Sequence, residues 1–279
     1  MRSLKVVCGL LCFLVLASNV WSMSRWSEVR GVYDDICYLR QARLFQQFGA
    51  GGLDTNMARD YDHFLTSRLK EIGFPTWNDP ATIPCHTLMP ATGKRVMQYP
   101  PGTGFLLALF PQGFQVIPLY VLATVIVFGF AVLGIASART RSEFGLAAGF
   151  GCLAIYLMIN PAKASYSVAP TMAVCALAGF FTAKLFFAER RRNRLILAAV
   201  VGLLIGLAVD FRLANLFLSA GYFLYFGFVF LRWRQLEALL QAALFAAAYL
   251  VGIAPTLIAQ AINAGSPLAT TCGCRRRGK

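Results

Sequence analysis

Seven apolar stretches, most of them about twenty residues long, take up most of this chain, and arginines crowd at their alternate ends. A hydrocarbon core of roughly 30 Å needs about 20 apolar residues per helical crossing, and water-soluble cores need no runs of that length. Only helices and closed barrels satisfy their backbone groups in lipid. The pattern therefore predicts an all-α, polytopic integral membrane protein with about seven transmembrane helices and one external helical segment. The expected spans are residues 4–21, 116–136, 144–159, 168–188, 195–211, 213–231 and 236–259.

Composition agrees with that solvent. Hydrophobic residues make up 58% of the chain and charged residues 14%, below the roughly 25% of soluble domains. The formal net charge of +14 raises a nucleic-acid alternative, which its location removes. Residues 23–103 hold nine Lys/Arg and eight Asp/Glu, so the excess sits in short connections between apolar runs and in the last few residues. Basic clusters flanking spans are what membrane topology predicts. No basic stripe with interleaved aromatics is present, so nucleic acid is not an expected partner; membrane lipid is.

The organisation follows from the apolar runs. Residues 1–22 form a first transmembrane helix, or a signal sequence with Val20-Trp21-Ser22 as its cleavage region. Residues 23–103 are an extracytoplasmic segment with two amphipathic helices, one over 34–48 and one over 57–72, followed by an irregular proline-rich loop. Residues 104–114, too short to cross and interrupted by Pro111 and Gly113, form an interfacial or re-entrant helix. A six-helix bundle occupies 115–259. Arg2, Lys5, Arg139, Arg141, Arg190, Arg191, Arg192, Arg194, Arg232 and Arg234 fall on one side, against Lys163 and Arg212 on the other. Ten against two predicts a cytoplasmic N-terminus in a multi-pass protein of the cell membrane. The 260–279 tail, with Arg275-Arg276-Arg277-Gly278-Lys279, runs against that bias and reads as an aberrant ending.

Most of the chemistry lies in the external segment, which carries eight of twelve carboxylates and both histidines. Asp34 and Asp35 open its first helix. Asp34 lies about 30° from the centre of the apolar face and Asp35 well away from it. A desolvated carboxylate there would act as a base, while an N-cap role suits Asp at any helix start equally well. Tyr99-Pro100-Pro101-Gly102 sits where polar loop meets membrane, as a rigid turn or the lip of a substrate groove. Lys94 and Arg95 precede it and are candidates for lipid phosphate. Arg212, between two spans, is suited to gripping a phosphate or to interfacial snorkelling beside Asp210; Lys163 is a weaker case of the same kind. Cys37 and Cys85 share an oxidising compartment and are candidates for a disulfide. No cysteine pair has zinc spacing, so no metal is assigned, and no cofactor is implied, although a divalent ion is left undetermined.

This layout resembles the GT-C-type membrane glycosyltransferases that use polyprenyl-phosphate sugars, including the protein mannosyltransferase and lipid A aminoarabinose transferase groups. The resemblance is carried by Asp34-Asp35 with Tyr38, by Tyr99-Pro100-Pro101-Gly102 and by Arg212. It implies that Asp34 or Asp35 activates an acceptor, that Arg212 contacts the carrier phosphate, and that a polyprenyl-phosphate sugar is a partner. Family members usually have more spans and greater length, which makes a truncated member the expectation. A non-catalytic membrane protein is the alternative. A transporter comes third, since small-residue runs such as Gly202–Gly206 permit it while an internal repeat is lacking.

Overall fold

The computed structural model describes residues 2–26, 33–79, 81–159 and 165–269. Six of the described helices are long and apolar enough to cross a membrane. These are α1 (Arg2–Met23), α5 (Val116–Ser137), α7 (Val168–Phe186), α8 (Arg191–Phe211), α9 (Leu216–Trp233, in the span beginning at Leu213) and α10 (Leu236–Ala264). At 1.5 Å per residue, the 22 residues of α1 reach about 33 Å. The seventh expected stretch forms α6 (Arg141–Ile159), which ends where the described residues stop. The protein is an all-α, multi-pass membrane protein.

Contacts sort the helix ends into two sets. Lys5 at the start of α1 donates to the carbonyls of Ala136, in the last turn of α5, and Ala138, just beyond it. Arg194 and Glu237 pair at 2.9 Å, joining the starts of α8 and α10. At the opposite end, Tyr120 near the start of α5 donates to the Ser165 carbonyl just before α7. The polar segment caps that same end, so it stands away from the arginine clusters.

Within the bundle, α8 and α10 run parallel in backbone contact. A Cβ on Gly202 would lie 2.2 Å from the Phe245 carbonyl oxygen, and one on Gly206 would lie 2.4 Å from that of Tyr249. Gly252 faces the Leu203 carbonyl in return, at 2.5 Å. Such small residues are what lets apolar helices approach in lipid, where no hydrophobic force drives them together. Val201, Ile205, Val209, Phe245, Tyr249 and Ile253 complete this core.

The cap differs from expectation in several places. Its first helix, α2 (Tyr33–Phe48), is where the apolar periodicity put it. The second is not continuous: a 3-10 turn at Met57–Arg59 is separated from α3 (Phe64–Glu71) by His63 in the left-handed conformation, φ 53°. Asp62 and Asp60 accept from the backbone N–H groups of Phe64 and Leu65. These side chains accept from the first backbone N–H groups of a new helix.

The expected irregular loop contains an antiparallel hairpin, β1 (His86–Leu88) with β2 (Arg95–Met97), pairing Thr87 with Val96. The short helix α4 spans Gly102–Ala108 and lies against α2, where a Cβ on Gly104 would meet the Gln41 side chain at 2.5 Å. Helix α10 continues past 259 to Ala264, ending on Gly265 at φ 81°. Its last turn is held by the cap: Asn263 accepts from the Thr55 N–H and donates to the Leu53 carbonyl, and Thr92 donates to the Asn263 carbonyl. Residues 270–279 of the tail lie outside the described residues.

Candidate functional site

Helix α2 is the centre of the cap, and it is buried nearly all round. Asp35, expected to point away from the apolar face, is 1% exposed. Amphipathic periodicity misplaces Asp35 because α4 covers one flank of α2 and the chain entering α7 covers another. The polar face therefore meets protein instead of water. Its Oδ1 accepts from the Ser165 hydroxyl at 3.0 Å and from the Tyr166 N–H at 2.9 Å. Asp34 belongs to the same helix by its backbone, and its side chain lies outside what is described.

One turn on from Asp34, Tyr38 is 3% exposed and stacks on Tyr99, with ring centroids 5.0 Å apart. Burial pushes its hydroxyl up to about 12; hydrogen bonds with Ser167 and Ser165 oppose that shift, the Asp35 charge adds to it, and Arg212 counters it. Asp35, Tyr38, Ser165, Ser167, Tyr99 and Arg212 thus come together. Arg212 has an extended backbone between α8 and the turn that opens α9, and its side chain is exposed.

The Tyr99-Pro100-Pro101-Gly102 turn docks on the end of α8 directly before Arg212. A Cβ on Gly102 would lie 2.7 Å from both the carbonyl oxygen and Oδ2 of Asp210, so only glycine fits that approach. Thr103 donates to the Phe211 carbonyl at 3.3 Å. Asp210, 4% exposed, accepts from the Thr256 hydroxyl of α10 at 2.6 Å. Its carboxylate therefore links α8, α10 and the turn. Beside the turn is a gap of about 20 Å³, lined by Gln41, Gln98, Tyr99, Thr256, Gln260 and others, enough for about one water. Among the described residues, the buried Gln41 Oε1 has no hydrogen-bond partner.

Of the other expected phosphate ligands, Lys94 reaches Asp54 at 3.2 Å and the Ile262 carbonyl, and Arg95 donates to the Ala81 carbonyl at 3.1 Å. Both act within the cap and its junction with α10, apart from Arg212. Lys163 lies outside the described residues.

Cys37 and Cys85 are joined as a disulfide across 48 positions. With His86 they bring three potential metal-ligand atoms within 4.8 Å, yet sulfurs bonded to each other offer no thiolate. The His86 Nδ1 donates to the Pro84 carbonyl, and its Nε2 accepts from Arg40 at 3.2 Å. Burial, with the Arg40 charge beside it, pulls this imidazole down to about 3.

Arg40, 1% exposed, also donates to the Thr55 and Asn56 carbonyls and faces Asp60 at 3.5 Å. Burial lowers its guanidinium from the ordinary range, and Asp60 acts against that shift. This group is a structural pin.

Several residues of the site escaped the sequence: Ser165 and Ser167, the Asp210–Thr256 bond and Gln41. Asp210 was the one with a signal, a carboxylate alone at the edge of a span. Serines at a helix entry and a glutamine within a helix are too common to stand out. No protein-family model, curated protein or solved structure matches this chain.

Proposed function

We propose that the chain binds a polyprenyl-phosphate sugar at the outer leaflet and transfers the sugar to a hydroxyl acceptor. The observation that supports this most is the convergence of Asp35, Tyr38, the Tyr99-Pro100-Pro101-Gly102 turn and Arg212 at one end of the bundle. These residues come from three separate stretches, and they are the positions that carry the family resemblance. The bias of arginine toward the opposite end supports an extracytoplasmic location.

In this mechanism Asp35 takes the proton of the acceptor hydroxyl. The acceptor oxygen bonds to the anomeric carbon as the bond from that carbon to the carrier phosphate breaks. Arg212 offsets the charge left on the phosphate, an interaction that strengthens as the leaving group departs. Asp210 is a positioning residue, holding the turn against the strand of chain that ends in Arg212.

The test uses membranes carrying the protein and a radiolabelled polyprenyl-phosphate hexose. Asp35→Asn is expected to reduce transfer by about 100-fold or more, with insertion and abundance unchanged. Arg212→Ala is expected to weaken transfer and Arg212→Lys to restore part of it. Full transfer in Asp35→Asn removes the assigned base, and full transfer in Asp34→Asn as well removes the whole acidic pair from the mechanism.

One observation favours a second reading: the Asp35 Oδ1 is engaged by Ser165 and Tyr166, as in a structural clasp. A non-catalytic protein would lose thermal stability on Asp35→Asn and show no transfer in either form.

A further inference from the structure

A second, larger cavity of about 400 Å³ opens between α2, α3 and the 112–115 connection. That size is within the range of small-ligand sites, toward its lower end. Its apolar wall is Ile36, Leu39, Phe64, Ile72 and Tyr166, and its rim carries Arg43, Asp62, Ser67, Arg68, Glu71 and Gln112. Two features connect it to the site above. Tyr166, whose N–H holds the Asp35 carboxylate, forms part of the wall. At roughly 3.6 residues per turn, Ile36, Leu39 and Arg43 fall on one flank of Asp35, while Tyr38 and Gln41 fall on the other. Asp35 thus stands on the divide between this cavity and the side where Tyr99 and Arg212 lie.

The rim narrows the chemistry of an occupant. Arg43 is hydrogen-bonded to Asp62, and Arg68 pairs with Glu71 at 2.7 Å. Both guanidinium groups lie over the Phe64 ring, 5.3 and 5.8 Å from its centroid. Arg43 also donates to the Gln112 Oε1 at 2.6 Å, and Gln47 donates to Asp62 at 3.1 Å.

Every charge on the described rim already has its opposite, so a phosphate or an ammonium finds no uncompensated partner. What remains is a dense set of hydrogen-bonding groups beside an apolar wall. Phe114, within the 112–115 edge, and Leu109, just before it in the chain, are 51% and 64% exposed, an apolar shelf fit for an alkyl chain.

We propose that this cavity takes the uncharged, polyhydroxylated head group of a membrane amphiphile, a neutral glycolipid. Resting on the transferase reading, it is the acceptor side of the same centre: the head-group hydroxyl approaches Asp35 from the flank opposite the carrier phosphate.

The protein in phospholipid nanodiscs is photolabelled with a diazirine-bearing alkyl glucoside, and the labelled peptides are mapped by mass spectrometry. Label is expected at residues 64–72 and 112–115, displaced by plain alkyl glucoside and not by an alkyl phosphate or alkylammonium of equal chain length. Ser67→Trp, from an exposed position on α3, fills the cavity and is expected to lower labelling about tenfold, equivalent to about 1.4 kcal/mol. Ser67→Leu fills part of it and should lower labelling less, and it is read alone if the tryptophan variant does not fold.

Undiminished labelling in a folded variant, or better displacement by either charged amphiphile, overturns the proposal. Labelling requires no turnover, so it separates the two claims. Site-specific label without sugar transfer sustains the cavity and sinks the transferase reading. Transfer to a glycolipid with acceptor KM unchanged in Ser67→Trp does the reverse.

Discussion

Helices α8 and α9 are neighbours in the chain and equally apolar to the eye, yet they play opposite parts in the fold. Half of the best apolar window of α8 is buried, against 11% for the span containing α9. Helix α8 presents Gly202 and Gly206 to the backbone of α10, with nothing between them. Helix α9 displays Phe217, Leu224, Phe228 and Leu231 at 86%, 74%, 61% and 68% exposure, and its Gly221 and Gly227 face open space. In lipid, burying a leucine against protein gains little over leaving it among acyl chains. Close packing therefore develops where small residues let backbones meet, and bulky residues are left to the bilayer. The site follows the same division: Asp210, Arg212, Thr256 and Asn263 all lie on or at the end of the tight α8–α10 pair.

The largest effect that would break this comparison is at Gly206. Gly206→Leu places a side chain where the Tyr249 carbonyl and the Gly252 Cα already stand. It is expected to abolish the monodisperse peak in fluorescence size-exclusion chromatography, beyond the roughly 1–3 kcal/mol usual for overpacking. Recovery at wild-type yield would show that the two helices separate freely.

Next comes Arg40, which pins the cap as the glycines pin the bundle. Arg40→Met leaves the Thr55 and Asn56 carbonyls, His86 and Asp60 without their partner. A loss of about 3–5 kcal/mol is expected, read as a lowered melting temperature in detergent.

A pH-dependent effect, absent near neutrality, belongs to His86. Its folded pKa of about 3 lies below the ordinary 6.5, so the unfolded chain binds more protons between those values. Stability is complete above pH 6.5 and declines as pH falls toward 3, by at most about 1.4 kcal/mol per pH unit. His86→Gln, which keeps an acceptor for Arg40, is expected to flatten that acid limb. An unchanged melting profile from pH 7 to 4 in both proteins would show that His86 titrates normally.

The smallest effect is on α9. Phe217→Ala, 86% exposed, is expected to shift stability by less than about 0.5 kcal/mol. A shift of several kcal/mol would mean that α9 packs against something other than lipid.

Much of this fold was legible in the residues. The crossings of α1, α5, α7, α8, α9 and α10 correspond to the apolar runs, and α2 begins where Asp34 and Asp35 suggested. The split second cap helix was not legible, because nothing in the apolar periodicity announces that the Asp60 and Asp62 side chains accept from the Leu65 and Phe64 N–H groups. The hairpin at 86–97 was hidden by strands of only three residues each. At the site, the carboxylates, the Pro-Pro-Gly turn and Arg212 stood out and were joined by the family resemblance. Ser165, Tyr166 and Thr256 did not, since nothing about a serine, tyrosine or threonine near a helix end announces its partner.

What the sequence determined by itself is the solvent of each segment and the position of six of the seven expected crossings. Both depend on about twenty consecutive residues, and transfer into lipid is summed along the chain. What tertiary structure alone decided is which polar groups meet. Asp35 and Tyr166 are 131 positions apart and Thr55 and Asn263 are 208 apart. No local preference specifies such a pairing; it exists because helices packed through their glycines carry those ends to one place.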